Sequence, residues 1–200
     1  MSMNEKTLRQ QILSAEDDTI FFRSDFPRYH PESVGRILSD LTDKGVLVRI
    51  ASGIYVKPRQ SKFGMVMPSI EHIVNAIAAR DKAQVLPSGA TALNALGLST
   101  QVPMSYSFLT TGSARNMDIG NRKVTLKRGV PRNFAYKTQL IALLVQALRS
   151  LGEQNVDEEK LSQIRYLIEQ EKNVAALTDD IAMMPEWMRR VVKPMIESQE

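Results

Sequence analysis

The apolar positions of the chain are most regular in a helix that we predict between Pro31 and Gly45. Four apolar residues recur there at i, i+3, i+4 and i+7, which places them on one stripe of the helix. Proline suits the first turn of a helix, and glycine suits the left-handed residue just past its end. The stripe consists of Val34, Ile37, Leu38 and Leu41, and the opposite side carries Glu32, Arg36, Ser39 and Asp43. One side of this helix is therefore expected to be buried and the other exposed.

Shorter elements precede this helix. The spacing of Leu8 and Ile12 predicts a first helix over residues 5–15. Residues 19–22 form a β-rich run that is expected either to add an edge strand or to pack beneath the helices. Ser24 suits an N-cap and predicts a short helix before Pro31. The N-terminal segment is therefore predicted to hold three helices, of which the middle one is short.

A β-hairpin is predicted directly after Gly45. Two runs rich in β-formers, at 46–50 and 54–57, are separated by the turn sequence Ala-Ser-Gly, and Pro58 ends the second run. Helix, short helix, helix and hairpin is the element order of a winged helix-turn-helix. We therefore predict such a domain over residues 1–62.

This arrangement predicts contacts with duplex DNA. The major groove of B-DNA is about 12 Å wide and admits one helix, so the polar side of the helix before Gly45 is expected to face the bases. The hairpin is expected to lie along the phosphate backbone. Among these contacts, Arg36 suits a bidentate hydrogen bond to guanine. The predicted DNA contacts are Ser24, Ser33, Arg36 and Ser39 from the helical part, and Arg49, Ser52 and Lys57 from the hairpin.

The same pattern also fits a protein-docking module. Any small α+β domain with scattered lysine and arginine has this element order. In addition, Glu32, Asp40 and Asp43 would repel phosphate if they faced it. DNA binding and protein docking therefore both remain open on the pattern alone.

The rest of the chain, residues 63–200, predicts a second, mainly helical α+β domain. Residues 65–68 are expected to form a linker between the two domains. Strands are predicted at Ser105–Thr110 and Arg122–Arg128, the second of which alternates polar and apolar residues. The chain as a whole is therefore expected to have an α+β fold.

Two amphipathic helices complete this second domain. They are predicted over residues 138–151 and 157–171, where apolar residues recur at helical spacing. Trp187 is expected to close the core beside Met183 and Met184, because methionine fills irregular space.

Composition and charge restrict the kinds of functional site that the chain can form. The 200 residues include no cysteine and two histidines, which excludes disulfides, thiolate catalysis and cysteine-based zinc sites, so no metal or cofactor is expected. Residues 63–152 hold 10 Lys and Arg against 3 Asp and Glu, whereas residues 153–200 hold 6 against 11. This asymmetry fits either a surface that binds anions or two faces of one domain that attract each other.

The strongest basic surface is predicted around the strand Arg122–Arg128. The alternation of this strand directs its lysines to one face. The surface is expected to contact either an anion such as nucleic acid, or solvent and the acidic C-terminal segment. Its predicted members are Arg115, Arg122, Lys123, Lys127, Arg128 and Arg132.

One stretch suggests an enzyme. Gly112 and Ser113 resemble the opening of a nucleotidyltransferase signature, in which a Gly-Ser turn holds a triphosphate. That chemistry also needs two carboxylates at alternate strand positions to hold metal ions. The sequence offers only Asp118 there, so no enzyme activity is predicted.

A cytosolic protein without a membrane partner is also expected. No apolar run approaches the roughly 20 residues that cross a bilayer. Residues 1–11 are polar and lack the apolar stretch of a signal peptide.

Short runs in the N-terminal part carry a resemblance to a known family. They are FRSDF at 22–26, LSDL at 38–41, KGVLVR at 44–49 and GIYV at 53–56. In this order and spacing they resemble the winged helix-turn-helix of AbiE-type antitoxins, in the subgroup of short, transcriptional-regulator-like members. These antitoxins belong to bacterial type IV toxin–antitoxin systems.

Runs in the C-terminal part are similar to the second domain of the same family. They are LPSGATALNALGL at 86–98, QVP at 101–103 and MPEWM at 184–188. The resemblance spans about residues 5–195. Because each run is short, their order and spacing carry the resemblance.

The resemblance implies a regulator with two roles. The winged domain is expected to bind an inverted repeat at its own promoter and to repress a two-gene operon. The C-terminal domain is expected to counter a partner nucleotidyltransferase toxin, by direct contact or downstream of it. The alternative is a two-domain scaffold that ignores DNA and binds a protein through the basic face of residues 115–132.

Overall fold

The computed structural model describes residues 3–197, which form a mixed α+β fold as expected. Residues 1–2 and 198–200, the outermost residues of the two predicted domains, lie outside the described part. The chain divides into two compact units. One consists of Met1–Ile77 with Asn116–Arg122, and the other of Ala78–Arg115 with Lys123–Glu200. The predicted domain boundary after residue 62 stays a prediction.

Two helices organise the first unit, α1 (Met3–Ser14) and α2 (Pro31–Asp43). His30 is the N-cap of α2, and Pro31 occupies its first turn because a missing N–H costs nothing there. Gly45 follows the helix with a φ of +71°, the left-handed conformation that glycine adopts without strain. The predicted helix is therefore confirmed, and its apolar stripe is at most 3% exposed: Val34, Ile37, Leu38 and Leu41.

A three-stranded antiparallel sheet completes the core of this unit. Its strands are β1 (Ile20–Phe22), β2 (Val48–Ala51) and β3 (Ile54–Val56), in the order β1-β3-β2. The predicted hairpin is thus confirmed, and of the two alternatives left open for residues 19–22 the edge strand is the one that forms. Between β1 and α2 the chain forms a short 3-10 helix at Arg23–Asp25. Ser24, expected to cap this helix, lies inside it, and the N-cap is Phe22.

A second hairpin follows the first after Lys57 and Pro58. Its strands are β4 (Arg59–Ser61) and β5 (Gly64–Val66), paired antiparallel. The predicted linker at 65–68 is therefore wrong in its first half. Pro58 ends β3, and the turn between Ser61 and Gly64 lets the chain pair with itself instead of running on as a linker.

A four-stranded sheet follows helix α3 (Ile70–Asp81). The strand order is β6-β7-β9-β8, with β7 parallel to β9 and antiparallel to β6. Strands β7 and β9 have the predicted bounds, whereas β8 was not predicted. Val124 and Leu126 of β9 are buried and Lys123 and Lys127 are exposed, which fits the predicted alternation. The strands are β6 (Val85–Ser88), β7 (Ser105–Thr110), β8 (Arg115–Ile119) and β9 (Arg122–Arg128).

Helices form the core of the second unit. The long predicted helices are confirmed, with Thr138 and Asp157 as their N-caps, since each side chain accepts a hydrogen bond from the backbone of the first turn. Trp187 and Met184 pack in this core as predicted. The prediction for Met183 is wrong, because this residue lies at the end of its helix and is 37% exposed. The helices are α4 (Ala90–Ala95), α5 (Gln139–Leu151), α6 (Glu158–Glu169), α7 (Val174–Met183), α8 (Glu186–Val192) and α9 (Pro194–Glu197).

None of the helices found between residues 3 and 197 has the length and apolar character needed to span a membrane.

Candidate nucleic-acid interface

The polar side of α2 is open to solvent. Arg36 has 71% of its side chain exposed, Ser39 is exposed and Ser33 is half-buried. Glu32 and Asp43 are also exposed on this helix. The outward face that the sequence predicted for base contacts therefore exists, but it includes two carboxylates.

Ion pairs tie α1 along the side of α2. Arg36 Nη2 lies 2.8 Å from Glu5 Oε1, and it also donates to Ser33 Oγ at 3.4 Å. Arg9 Nη2 lies 2.5 Å from Asp40 Oδ2. Arg36 is thus bound by a carboxylate on the neighbouring helix, although most of its side chain stays exposed. To reach a base, it has to leave Glu5.

Asp40 stays ionised on this face. Hydrogen bonds from Arg9 and from Lys44, whose Nζ lies 3.0 Å away, hold the pKa of Asp40 below its usual value. Because both neighbours are cations, the negative charge of Asp40 is compensated locally. The predicted repulsion of phosphate from α2 therefore depends mainly on Glu32 and Asp43.

Arg23 links the start of α2 to the tip of the first hairpin. Its backbone N donates to Gly53 O at 2.9 Å, and its Nη2 donates to Pro31 O at 2.8 Å. The guanidinium carbon lies only 3.5 Å from the place that a Cβ would take at Gly35. The side chain is still exposed, so the cation lies beside the first turn of α2 with its surface open.

Sequence reasoning missed Arg23 as a site residue, and the one sequence feature beside it, Gly35, is only a weak signal. Gly35 lies inside α2, where glycine costs about 1 kcal/mol relative to alanine. A glycine at such a position indicates that something approaches the helix closely. Here the nearest group is the Arg23 guanidinium, but at 3.5 Å it would make only ordinary van der Waals contact with an added Cβ, so the approach does not require a glycine.

The hairpin supplies the other predicted contacts near Arg23. Arg49 is exposed on β2, and its Nε donates weakly to Ala51 O at 3.4 Å. Ser52 is exposed in the turn next to Gly53, whose backbone Arg23 binds. Ser24 is exposed in the 3-10 helix. The exposed cations Arg23 and Arg49 thus lie on segments joined by hydrogen bonds at the hairpin tip.

Lys57 has a structural role that the sequence did not reveal. The side chain is half-buried, and its Nζ donates to Leu13 O at 2.8 Å and to Ala15 O at 2.5 Å. These carbonyls lie at the C-terminal end of α1, where the helix leaves acceptors unsatisfied and its dipole attracts a cation. The Lys57 ammonium therefore fastens α1 to the first hairpin.

Replacing Lys57 with methionine should lower the free energy of unfolding by about 1.5 kcal/mol, because two carbonyls lose a charged donor. Urea denaturation measures the change. Lys44→Met is the matched control, since Lys44 is an exposed cation at the end of α2 and we expect less than about 0.5 kcal/mol there. Equal effects of the two variants would contradict the capping role.

The predicted basic surface around β9 is only partly open. Arg115 is half-buried in an ion pair with Asp81, and Arg132 donates to Met183 O at 3.0 Å. Lys123 and Lys127 are exposed, and in the described part of the chain neither has an ion-pair partner. Arg122 and Arg128, at the two ends of β9, are exposed as well. The open charge of this surface is therefore concentrated on the strand itself.

Comparison with known proteins adds one finding to this geometry. A family described as of unknown function (DUF6088) matches residues 7–176. The chain belongs to this family. The DUF6088 match includes every predicted DNA contact from Ser24 to Lys57, and it also includes Arg23. A search of curated proteins found no match to the chain.

The possible transferase motif of this DUF6088 chain lies before β8. Ser113 is exposed in the loop that precedes the strand, and Asp118 is exposed on the strand. Within residues 3–197, no three carboxylate or histidine side chains lie close enough to hold a metal ion. The prediction that the chain is not an enzyme stays a prediction.

Proposed function

We propose that the first unit is a winged helix-turn-helix and that the protein is a DNA-binding transcriptional regulator. In this proposal α2 is the recognition helix and the β2–β3 hairpin is the wing. The observation that carries it is the exposed polar face of α2 beside a hairpin tip to which Arg23 is bonded. Helix and wing are then positioned to contact bases and phosphates together.

The charged residues of α2 and of the β2–β3 hairpin suit different kinds of DNA contact. Arg23 and Arg49 are exposed cations near the hairpin tip and fit phosphate contacts, which carry little sequence information. Arg36, with Ser33 and Ser39, fits base contacts. The carboxylates Glu32 and Asp43 restrict which surface of α2 can approach a phosphate.

A gel shift with the DNA directly upstream of the reading frame tests this function. Each phosphate contact contributes about −0.9 to the slope of log affinity against log salt. About three contacts per protomer therefore give a slope near −3. Absence of a shift on both this DNA and a mixed-sequence duplex at low salt would refute DNA binding.

The Arg36–Glu5 pair allows a sharper test. Glu5→Gln should strengthen DNA binding, because Arg36 no longer has to leave a charged partner and a negative charge is removed. Arg36→Ala should weaken binding to the preferred sequence about tenfold and reduce its advantage over other sequences. Titration gel shifts with both DNAs measure these changes.

A double-mutant cycle separates the release of Arg36 from the removal of the negative charge of Glu5. If Glu5 acts by holding Arg36, Glu5→Gln should have less effect in the Arg36→Ala background than in the wild type. An equal effect in both backgrounds would mean that Glu5 acts only through its charge. Arg165→Ala, at an exposed arginine of α6 in the second unit, is the control that should leave binding unchanged.

We further propose that the protein is the antitoxin of a type IV pair, which represses its own operon and counters a nucleotidyltransferase toxin. The resemblance to AbiE-type antitoxins supports this role. The test is co-expression with the neighbouring reading frame, provided that this frame carries the Gly-Ser and paired-Asp signature. Rescue of growth supports the antitoxin role, and unrelieved toxicity contradicts it.

A second candidate is a scaffold that binds a protein through the β9 surface. The observation in its favour is that Lys123 and Lys127 are exposed without ion-pair partners within residues 3–197. A double variant, Lys123→Glu with Lys127→Glu, distinguishes the protein-binding scaffold from the DNA-binding regulator. If the wild type binds no duplex and the double variant loses a protein partner, the scaffold is supported, while loss of DNA binding in the double variant contradicts it.

A further inference from the structure

The β4–β5 hairpin is exposed on both of its faces. All six strand residues, Arg59–Ser61 and Gly64–Val66, are exposed, and Phe63 in the turn is 100% exposed. Met65 and Val66 add exposed apolar surface on β5, at 46% and 38%. Two-stranded hairpins are marginally stable alone in water, so an uncovered one is expected to be stabilised by what it binds.

The turn that carries Phe63 is nevertheless well defined. Ser61 Oγ accepts a hydrogen bond from Phe63 N at 3.2 Å and donates to Gly64 O at 2.8 Å. Gly64 has a φ of +111°, which side-chain-bearing residues rarely adopt. The aromatic ring is therefore presented to solvent by an organised turn, which lowers the entropy lost on binding.

The segment around this turn is cationic without any acidic residue. Residues 45–70 contain four lysine or arginine residues and no aspartate or glutamate. Two of the four, Arg59 and Lys62, belong to the second hairpin. Arg59 lies 4.0 Å from Asp18 at the base of the hairpin, whereas Lys62, beside Phe63, has no ion-pair partner in the described part of the chain. Charge complementarity thus selects an anionic partner for the tip.

We propose that the tip of the β4–β5 hairpin enters the minor groove of duplex DNA and inserts Phe63 between base pairs. This inference rests on the proposed DNA-binding function and adds a second contact beyond the wing. Apolar side chains that enter the minor groove unstack a base step and kink the duplex. Lys62, next to the ring, contacts a phosphate at the edge of the groove, and Arg59 follows the backbone further back.

The chemistry of the tip favours duplex DNA over other occupants. A minor groove about 6 Å wide is too narrow for a helix, so only the apex of the hairpin is proposed to enter it. An aromatic apex flanked by a lysine combines a wedge with a phosphate contact, which is how bending proteins offset the cost of the kink. A second copy of the chain offers only mixed charge, even in its acidic residues 153–200 with 11 Asp and Glu against 6 Lys and Arg, whereas duplex DNA is uniformly anionic.

Phe63→Ala tests the proposal. The variant should melt at the wild-type temperature, because the side chain makes no buried contacts. Its affinity for the upstream duplex should fall about tenfold. The bend of the bound DNA, expected between about 20° and 90° in the wild type, should fall to that of the free duplex. Energy transfer between dyes at the two duplex ends measures the bend.

Three further variants sharpen the result. Phe63→Leu should retain most of the bend, since leucine is also a wedge residue. Lys62→Gln should keep the bend and reduce the salt slope by about 1. Gln60→Ala, at an exposed position of β4, should alter neither the bend of the DNA nor the salt slope.

Each outcome separates this proposal from the function it rests on. If the wild type binds no duplex, both fail. If it binds and Phe63→Ala bends DNA as strongly as the wild type, only the wedge is refuted. It is refuted equally if Phe63→Ala leaves DNA binding intact but abolishes a dimer in analytical ultracentrifugation or the binding of anionic phospholipid vesicles, because the tip then has another occupant.

Discussion

Replacing Asp180 with alanine should lower the free energy of unfolding by about 3 kcal/mol. Its carboxylate is fully buried in α7 and accepts three hydrogen bonds. Lys137 N donates to Oδ1 at 2.8 Å, and Thr138 donates to Oδ2 through both its N and its Oγ1, each at 2.7 Å. The variant leaves these donors without a partner inside the protein, where an unpaired polar group is costly.

The position of Asp180 explains why the effect should be large. Thr138 is the N-cap of α5, so the carboxylate lies at the positive end of that helix dipole. Helix α5 contributes five fully or almost fully buried apolar side chains to the core of the second unit: Ile141, Leu144, Val145, Ala147 and Leu148. A loss at the start of α5 therefore affects the packing of the whole core.

Asp179→Asn is the matched control for this prediction. Asp179 is the neighbouring residue, and its Oδ2 lies 2.6 Å from Lys137 Nζ, but both side chains are 60% exposed. Exposed ion pairs contribute little, so the control should lose less than about 1 kcal/mol. Urea denaturation of the full chain, followed by circular dichroism, compares the two. Similar losses would show that the buried hydrogen bonds of Asp180 are not the cause.

Local patterns predicted the elements whose two sides have different environments. Helix α2 has a buried stripe and an exposed side, and β9 alternates buried Val124 and Leu126 with exposed lysines. In such elements the spacing of apolar residues reports the geometry directly. Pro31 and Gly45 then fixed the ends of α2, because each suits one terminus of a helix.

Elements without this contrast were missed. The β4–β5 hairpin is exposed on both faces, so its strands show no alternation of apolar and polar residues. Strand β8 has only Met117 and Ile119 as buried positions in five residues, which is too short a pattern to distinguish from a loop. The turns of these two elements did carry a signal in the sequence, namely Gly64 and Gly120. Glycine suits positive φ values, and both residues adopt them.

The site depends on contacts between distant parts of the sequence, and these were not predictable from local patterns. Lys57 looked like a free cation of the wing, but its partner Leu13 is 44 positions away. Arg36 was predicted on the outer face of α2, yet the carboxylate that holds it is 31 positions earlier, at Glu5. Periodicity predicts which side of an element is exposed, but it does not predict which charge lies opposite.

Replacing Arg23 with alanine should weaken DNA binding about 30-fold, which corresponds to about 2 kcal/mol. The variant removes an exposed cation beside the hairpin tip and also the hydrogen bond to Pro31 O that links it to α2. A phosphate contact and the positioning of the helix are then lost together. The lost phosphate contact should weaken binding to all sequences and lower the salt slope by about 1, and the loss of helix positioning should weaken binding to the preferred sequence further.

Arg23→Lys separates charge from positioning. Lysine keeps the positive charge but lacks the planar fork that reaches Pro31 O while lying against Gly35, so it should restore the salt slope but only part of the affinity. Filter binding at several salt concentrations measures both quantities, with Arg165→Ala as the control in the second unit. Wild-type affinity in Arg23→Ala, with the fold intact by circular dichroism, would remove Arg23 from the interface and leave Arg49 as the cation near the hairpin tip.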